Sequence, residues 1–510
     1  MNIMGDKFQL SASKIEHSKY LFLGFLIAIL NLACQSKITT ANPSDLLTSR
    51  IDDYLKQSEV NGFSGSVLVA KNDTIIINKG FGFADKENNV LNNPNTVYDI
   101  CSVSKQFTGA AIVKLAEDNK LKLESPISTF FDNLPEDKKD VTIHQLLTHS
   151  AGFGHGSTDD FDLTPKDIYF TDLFQEKLIF TPGSKYEYSN SGYSILGRII
   201  ELVSGQDYET YLNEKLFQPS GMKQTGYLLP NWDDTAVANE YLLNVSNEGS
   251  HIEQYKQDRE IARTVLANGG IHSTNNDMYK WYQALKSNKI LSQESFEILT
   301  KPYIAELEDE SSHYAYGWTV YTSKRDTKVI THNGFNGVSF NEFVWFPEED
   351  VVILFASNAF VRPIGRMTME IENMLFDAVY EPKELPKYMV SELYKFTEGY
   401  KGRVDELREQ LGLEFESAIH SPRHLNSLGG LYYRKDQMKK AITIYELNTQ
   451  MFPEDGNSWD SLGDAYYKAN EKDNAVEAYT KALELKPAED DCFWCENSTE
   501  KLSLLTKVNE

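Results

Sequence analysis

Ser102 and Lys105 stand three residues apart in YDICSVSKQFTGA (98–110), where an extended pattern gives way to a helical one. Residues at this spacing share a helix face. A lysine amine there can take the proton from a serine hydroxyl, which is a poor nucleophile until a neighbouring base does so. The spacing alone selects nothing, because Ser-x-x-Lys also begins at Ser11, Ser220 and Ser498. Two further motifs follow in order: Tyr188-Ser189-Asn190, and His332-Asn333-Gly334 opening the run into a strand at 337–346. Tyr188 is a second candidate base, since a nearby ammonium would favour its phenolate and lower its pKa. Asn190, both donor and acceptor, can orient Lys105 and a substrate amide. His332 would titrate near neutral pH, where a lysine would stay charged. Tyr-x-Asn recurs at Tyr211-Leu212-Asn213, so the ordered set carries the weight. His149 and His155 read as structural or rim residues, because a lone histidine is more often a satisfied polar group than a catalyst.

The elements that must hold these residues can be read from the pattern. Residues 45–59 place Leu47, Ile51, Tyr54 and Leu55 on one helical face. The β-rich runs 65–70 and 74–82 flank Lys71-Asn72-Asp73, which has hairpin chemistry. A largely apolar helix continues from Ser102 through Thr108, Ala110, Ala111, Ile112 and Leu115. Helical and loop signals alternate from 141 to about 300. Strand-like runs follow at 314–322, 337–346 and 350–358, then an amphipathic helix at 366–380. Strands early and late with helices between predict an α+β fold. One antiparallel sheet is closed by both ends of the domain, a helical region is inserted, and the first and last helices cover one face.

The three motifs, with LLTHSAGF (146–153), FTPGSKYEYSNSGYSILG (180–197) and ANGGIHSTNNDM (267–278), resemble the serine β-lactamase-like hydrolases of the class C β-lactamase and D-alanyl-D-alanine peptidase type, over about 50–380. The resemblance implies a sheet flanked by helices, a helical subdomain and a site between them. It implies an acyl-enzyme on Ser102, with Lys105 and Tyr188 handling the proton. Asn190, His332, Gly334 and Phe335 would bind and orient the substrate. It also implies an oxyanion hole from the backbone N–H groups of Ser102 and Phe335, the device acyl transfer needs. Class C β-lactamases carry Lys-Thr-Gly as the third motif, whereas this chain carries His332-Asn333-Gly334. That weakens the case for an antibiotic-resistance enzyme and fits cell-wall peptide or ester substrates better. A D-amino-acid peptide, a carboxylic ester and a β-lactam all remain open as substrates, and no metal or organic cofactor is implied. The rival is a non-hydrolytic penicillin-recognising or tetratricopeptide adaptor with a scaffold hydrolase domain.

Beyond Pro386 the chain turns helical and charged. Trp459, Leu462, Gly463, Tyr466, Ala475, Tyr479, Ala482 and Pro487 follow the tetratricopeptide pattern. Thirty-four residues earlier stand Leu425, Leu428, Gly429, Tyr432, Ala441, Tyr445, Asn448 and Pro453, with Asn448 the one landmark out of character. The segmentation expected is a signal at 1–34, hydrolase at 45–380, helical linker or partial repeat at 381–421, two repeats at 422–489 and a cap or tail at 490–510. The repeats either hold a protein partner or pack on the hydrolase and stabilise it.

The net charge is −25 over 510 residues. This disfavours nucleic acid, which needs clustered Lys and Arg. Lys14, His17 and Lys19 precede the apolar run YLFLGFLIAILNLA (20–33), short for a membrane span but suited to a signal h-region. The run ends at Ala33-Cys34, as in a bacterial lipoprotein signal whose cysteine carries the lipid, although Asn31 stands where leucine is usual. Lipid anchoring through Cys34 at the cell envelope, soluble secretion and a retained anchor all put the mature chain outside the cytoplasm. There Cys492 and Cys495 can close as a local disulfide. Alone they cannot complete a four-ligand zinc site.

Overall fold

The computed structural model describes residues 43–156, 159–232, 237–487 and 492–506. Ser11 and the signal with Cys34 lie outside them. The first helix, α1 (Pro43–Val60), leads into β1 (Gly65–Lys71) and β2 (Thr74–Phe81). Asn72 and Asp73 both take positive φ, +50° and +57°, the backbone that a tight two-residue hairpin requires. The remaining strands of the main sheet come after the helical insertion: β3 (Ile304–Ala305), β4 (Ser312–Tyr314), β5 (Thr319–Thr322), β6 (Lys328–Phe335), β7 (Phe340–Phe346) and β8 (Val351–Ser357). They form one eight-stranded sheet in the order β2-β1-β8-β7-β6-β5-β4-β3. Its pairs are antiparallel, so β1 lies against β8 from Gly65↔Ser357 to Lys71↔Val351 and the two ends of the domain close the sheet.

Three sequence expectations change. The run 314–322 is a hairpin rather than one strand, because Gly317 at φ +82° turns the chain and Tyr314 pairs with Thr319. His332-Asn333-Gly334 does not open the 337–346 strand. It sits on β6, which pairs with β7 through His332↔Phe343 and Gly334↔Asn341. The helix expected at 366–380 is shorter, as α5 (Met367–Phe376).

β8 is buried at each position, as a central strand covered on both faces must be. Against one face lies α4 (Asn275–Lys286), whose Asn275 amide donates to Ser66 O at 3.0 Å and to Ser66 Oγ at 2.9 Å. Phe376 of α5 meets Phe346 of β7 edge-on at 5.4 Å, and Arg50 donates to the carbonyl of Tyr380. The helix carrying Lys105, α2 (Lys105–Glu117), is buried almost throughout its length. It packs beside α3 (Asn190–Ser204), capped by Ser189.

The C-terminal region is a stack of helices: α6 (Met389–Gly399), α7 (Val404–Phe415), α8 (Pro422–Arg434), α9 (Met438–Met451), α10 (Gly456–Lys468), α11 (Lys472–Glu484) and α12 (Cys495–Thr506). Cys492 and Cys495 form a disulfide. A Cβ on Gly429 would lie 2.5 Å from the Tyr445 ring, and one on Gly463 would lie 2.7 Å from the Tyr479 ring. The same close helix approach thus recurs at the repeat period. Asn448 departs from the pattern for a physical reason. Its buried amide donates to Pro422 O (3.1 Å), Asn426 Oδ1 (2.9 Å) and Ser458 Oγ (2.8 Å), tying α9 to both neighbours. The stack meets the hydrolase region through Leu243, which packs on its core and accepts a hydrogen bond from Ser391 Oγ at 3.0 Å.

Candidate active site

Ser102 lies in the 3₁₀ turn Cys101–Ser104 that runs straight into α2. The turn is held open by Cys101, which takes φ +50° although it has a side chain. Lys105 opens α2 and is fully buried. Its Nζ is 3.1 Å from Ser102 Oγ, 2.7 Å from Asn190 Oδ1 and 2.7 Å from the carbonyl of Asn268. The amine also lies over the Tyr188 ring, 4.7 Å from its centroid. The first two sequence motifs therefore converge on one amine. Asn268, in the quoted segment 267–278, adds an acceptor that its side-chain chemistry did not announce.

Burial pushes the Lys105 amine well below its ordinary value. A neutral amine has two hydrogens and one lone pair. Asn190 Oδ1 and Asn268 O take the hydrogens, which leaves the lone pair for the Ser102 hydroxyl. Tyr188 departs from expectation: burial pushes its phenol up, against the opposing effect of Ser102. Burial therefore keeps the proton on Tyr188.

His332 departs as well. Burial, followed by the nearby Lys105, lowers it to about 3, so it is neutral throughout the working range. Its Nδ1 is 2.6 Å from Asn333 O, and its Nε2 is 3.0 Å from the hydroxyl of Tyr314. A carbonyl can only accept, so Nδ1 carries the hydrogen and Nε2 accepts from Tyr314. Tyr314 was missed in the sequence because nothing but the hairpin turn brings it to the site. Gly334 explains the third motif's glycine. A Cβ there would lie 2.5 Å from Ile100 O and 2.8 Å from Ser102 N, so β6 passes directly against the nucleophile turn. Phe335 follows with its ring half-exposed on Phe360, 4.6 Å between centroids. His149 is buried, accepts the Ser189 N–H on Nδ1 at 3.0 Å and packs on Tyr188 at 4.3 Å. His155 holds the N-terminus of α3 by accepting the Asn190 N–H at 2.9 Å.

These groups open into a cleft of about 390 Å³, lined by Ser102, Tyr188, Asn190, His332 and Phe335 together with Tyr314. The pairing of β5 with β6 stops at Thr319↔Thr331, so β6 beyond it presents an edge toward the cleft. The lining also includes Glu306, Glu342 and the exposed His155, and among the described lining residues there is no Lys or Arg. The other Ser-x-x-Lys matches among the described residues are elsewhere. Ser220 ends a short turn before Gly221, and Ser498 donates to Asp460 at 2.6 Å inside the repeat stack. Tyr211 is buried away from the cleft.

The β-lactamase family profile matches residues 47–370, which is more than half of the chain. The chain belongs to the β-lactamase family of serine hydrolases. A tetratricopeptide repeat profile matches 456–489. PbpX of Bacillus subtilis, a candidate penicillin-binding protein, is 31% identical over 328 residues, covering 64% of this chain and 78% of PbpX. Protein flp of Staphylococcus aureus strain MW2 is 29% identical over 296 residues, and the match spans 56% of this chain but only 57% of flp. Among solved structures, the octameric penicillin-binding protein homologue from Pyrococcus abyssi aligns with a TM-score of 0.56 at 26% identity, covering 68% of this chain and 81% of that one.

Proposed function

We propose that this family member is an exported, lipid-anchored hydrolase that forms an acyl-enzyme on Ser102 and releases it to water. The observation that carries the reading is the buried Lys105 amine, 3.1 Å from Ser102 Oγ with its two other contacts taken by acceptors. Ser102 Oγ attacks the substrate carbonyl and its proton passes to Lys105. The oxyanion is met by the backbone N–H groups of Ser102 and Phe335. As the scissile bond breaks, Tyr188 gives its proton to the leaving group and regains one from Lys105. Water then attacks the acyl carbon, its proton taken by the same pair, and Ser102 leaves as a hydroxyl. Asn190 keeps the amine aimed throughout.

The charge of the cleft bears on the substrate. A leaving group with a carboxylate, as in a β-lactam or a terminal D-Ala-D-Ala, would find neutral His332, two glutamates and no Lys or Arg among the lining residues, with the His155 imidazole the one further nitrogen base there. The reading therefore favours a neutral ester or an amide of a D-amino acid. An extended acyl portion would lie along the edge of β6 as an added strand. The anchor rests on the Ala33-Cys34 signal pattern. Among the described residues no helix is long and apolar enough to cross a membrane.

The test is labelling with a fluorophosphonate, together with hydrolysis of a short-chain ester, D-alanine amide, a D-Ala-D-Ala peptide and a chromogenic cephalosporin. Ser102→Ala should abolish labelling and lower turnover by about 10⁴-fold or more, while Ser220→Ala and Ser498→Ala do neither. Near-normal turnover by Ser102→Ala would sink the assignment. The cephalosporin outpacing the ester and amide would refute the substrate reading alone.

A further inference from the structure

Behind the nucleophile turn, away from the cleft, lies a buried cluster that the acyl-transfer chemistry does not use. Asp99 Oδ1 accepts the backbone N–H of Cys101 at 2.7 Å. This bond holds the left-handed residue on which Ser102 sits. Asp99 Oδ2 lies 3.0 Å from His251 Nδ1, and His251 Nε2 lies 3.7 Å from Glu240 Oε2. Asn336, the residue after Phe335, sends one amide group to both carboxylates: 3.2 Å to Asp99 Oδ2 and 2.9 Å to Glu240 Oε1. Ser339 Oγ donates to the same Glu240 oxygen at 2.9 Å, and Asn341 Nδ2 donates to Asp99 O at 2.6 Å.

The two backbone N–H groups assigned to the oxyanion come from segments far apart in sequence, and each has a neighbour anchored in this cluster. Cys101 precedes Ser102, and Asn336 follows Phe335. We propose that Asp99, Glu240 and His251 are positioning residues that lock these two segments together through Cys101 and Asn336, and so set the spacing of the oxyanion donors. The proposal rests on the acyl-transfer reading of Ser102.

The charges support a lock. His251 is raised to about 9; burial opposes its charge, but contact with Asp99 and the Glu240 carboxylate outweigh that. Asp99 is lowered to about 2 despite its burial, with His251 the main cause. Asp160 also faces the imidazole with a carboxyl raised to about 6 by burial, and His272 faces it with a ring lowered to about 4. Phe161 and Tyr255 pack edge-on against the His251 ring. The imidazolium is thus present below about pH 9, and the cluster loses its positive charge as pH rises through that value. Ligand atoms of Asp99, Glu240 and His251 lie within 4.8 Å of one another, the spacing of a cation site, but the His251 proton already supplies a positive charge there.

The experiment measures kcat and KM for p-nitrophenyl acetate, and the fluorophosphonate labelling rate, from about pH 6 to 10 on the full chain. Asp99→Asn keeps an acceptor for Cys101 but turns an amide toward Asn336. Asn336→Asp keeps the acceptor for the Val338 and Ser339 N–H groups but replaces the bridging donor. Each should lower kcat and labelling about 10- to 100-fold with KM within about twofold, the effect of sub-ångström misplacement of donors that act in the transition state. The native enzyme should lose kcat as pH rises through about 9, and His251→Gln should lower kcat and remove that alkaline loss. Native kcat in the Asn336→Asp protein overturns the proposal even if Asp99→Asn fails to fold. So does activity that a chelator removes and a divalent cation restores, because the carboxylates would then be ligands. A native enzyme that is not labelled at all would instead remove the acyl-transfer reading and the positioning role with it.

Discussion

Gly334→Ala tests the closeness of β6 to the nucleophile turn, on which the oxyanion assignment depends. The added Cβ would sit 2.5 Å from Ile100 O, 2.8 Å from Cys101 Cβ and 2.8 Å from Ser102 N. Two of those three atoms are backbone, so no side chain can swing aside. Restoring an ordinary 3.4 Å contact to Ile100 O requires about 0.9 Å of separation between β6 and the turn. Overpacking of this kind costs about 1–3 kcal/mol of stability. A displacement near 1 Å at a catalytic constellation costs about 100-fold in rate, or about 2.7 kcal/mol of transition-state stabilisation. The assay is kcat/KM for p-nitrophenyl acetate alongside urea unfolding. Gly205→Ala is the control. Gly205 also takes positive φ (+72°), at the end of α3, but its Cβ would meet nothing within 4 Å. It should lose about 1 kcal/mol of stability and no activity. A folded Gly334→Ala enzyme with native kcat/KM would refute the argument.

Three further outcomes are expected. Because His332 titrates near 3, the labelling-rate profiles of the native enzyme and His332→Gln should show the same inflections above about pH 5; an acid limb near pH 6.5 that vanishes in the variant would show an exposed, titrating imidazole instead. Burial raises Glu342 from 4.5 to about 7, so its charge costs the fold little below the unfolded value and most above about 7. Glu342→Gln should therefore stabilise the protein by on the order of 2–3 kcal/mol at pH 8 and by almost nothing near pH 4, read from urea unfolding at both. Truncation after Tyr380 removes the Leu385 carbonyl that accepts from buried Asn61 at 2.7 Å and uncovers Leu243. The melting temperature should fall by several degrees while ester turnover stays within about twofold, since no described residue beyond 380 lines the cleft; lost turnover in a folded fragment would contradict this.

Much of this protein was legible in its sequence because the signals are local. The Asn72-Asp73 hairpin, the apolar helix after Ser102, and the Gly429/Gly463 and Tyr445/Tyr479 landmarks each depend on nearby residues whose backbone preference or periodicity needs no distant partner. The motif order pointed to Ser102, Lys105, Tyr188 and Asn190, and the structure brings these four together. Strand β6 went unread because the Gly317 turn that splits 314–322 and the pairing of KVITHNGF with β7 depend on neighbours in the sheet. Protonation also lay beyond the sequence. An isolated lysine is charged and an isolated histidine titrates near neutrality. Only burial, with Asn190 and Asn268 as acceptors beside it, lowers the Lys105 amine, keeps the proton on Tyr188 and holds His332 neutral. Desolvation belongs to the surroundings of a group rather than to its type, and those surroundings are assembled from residues 85 and 163 positions away from Lys105.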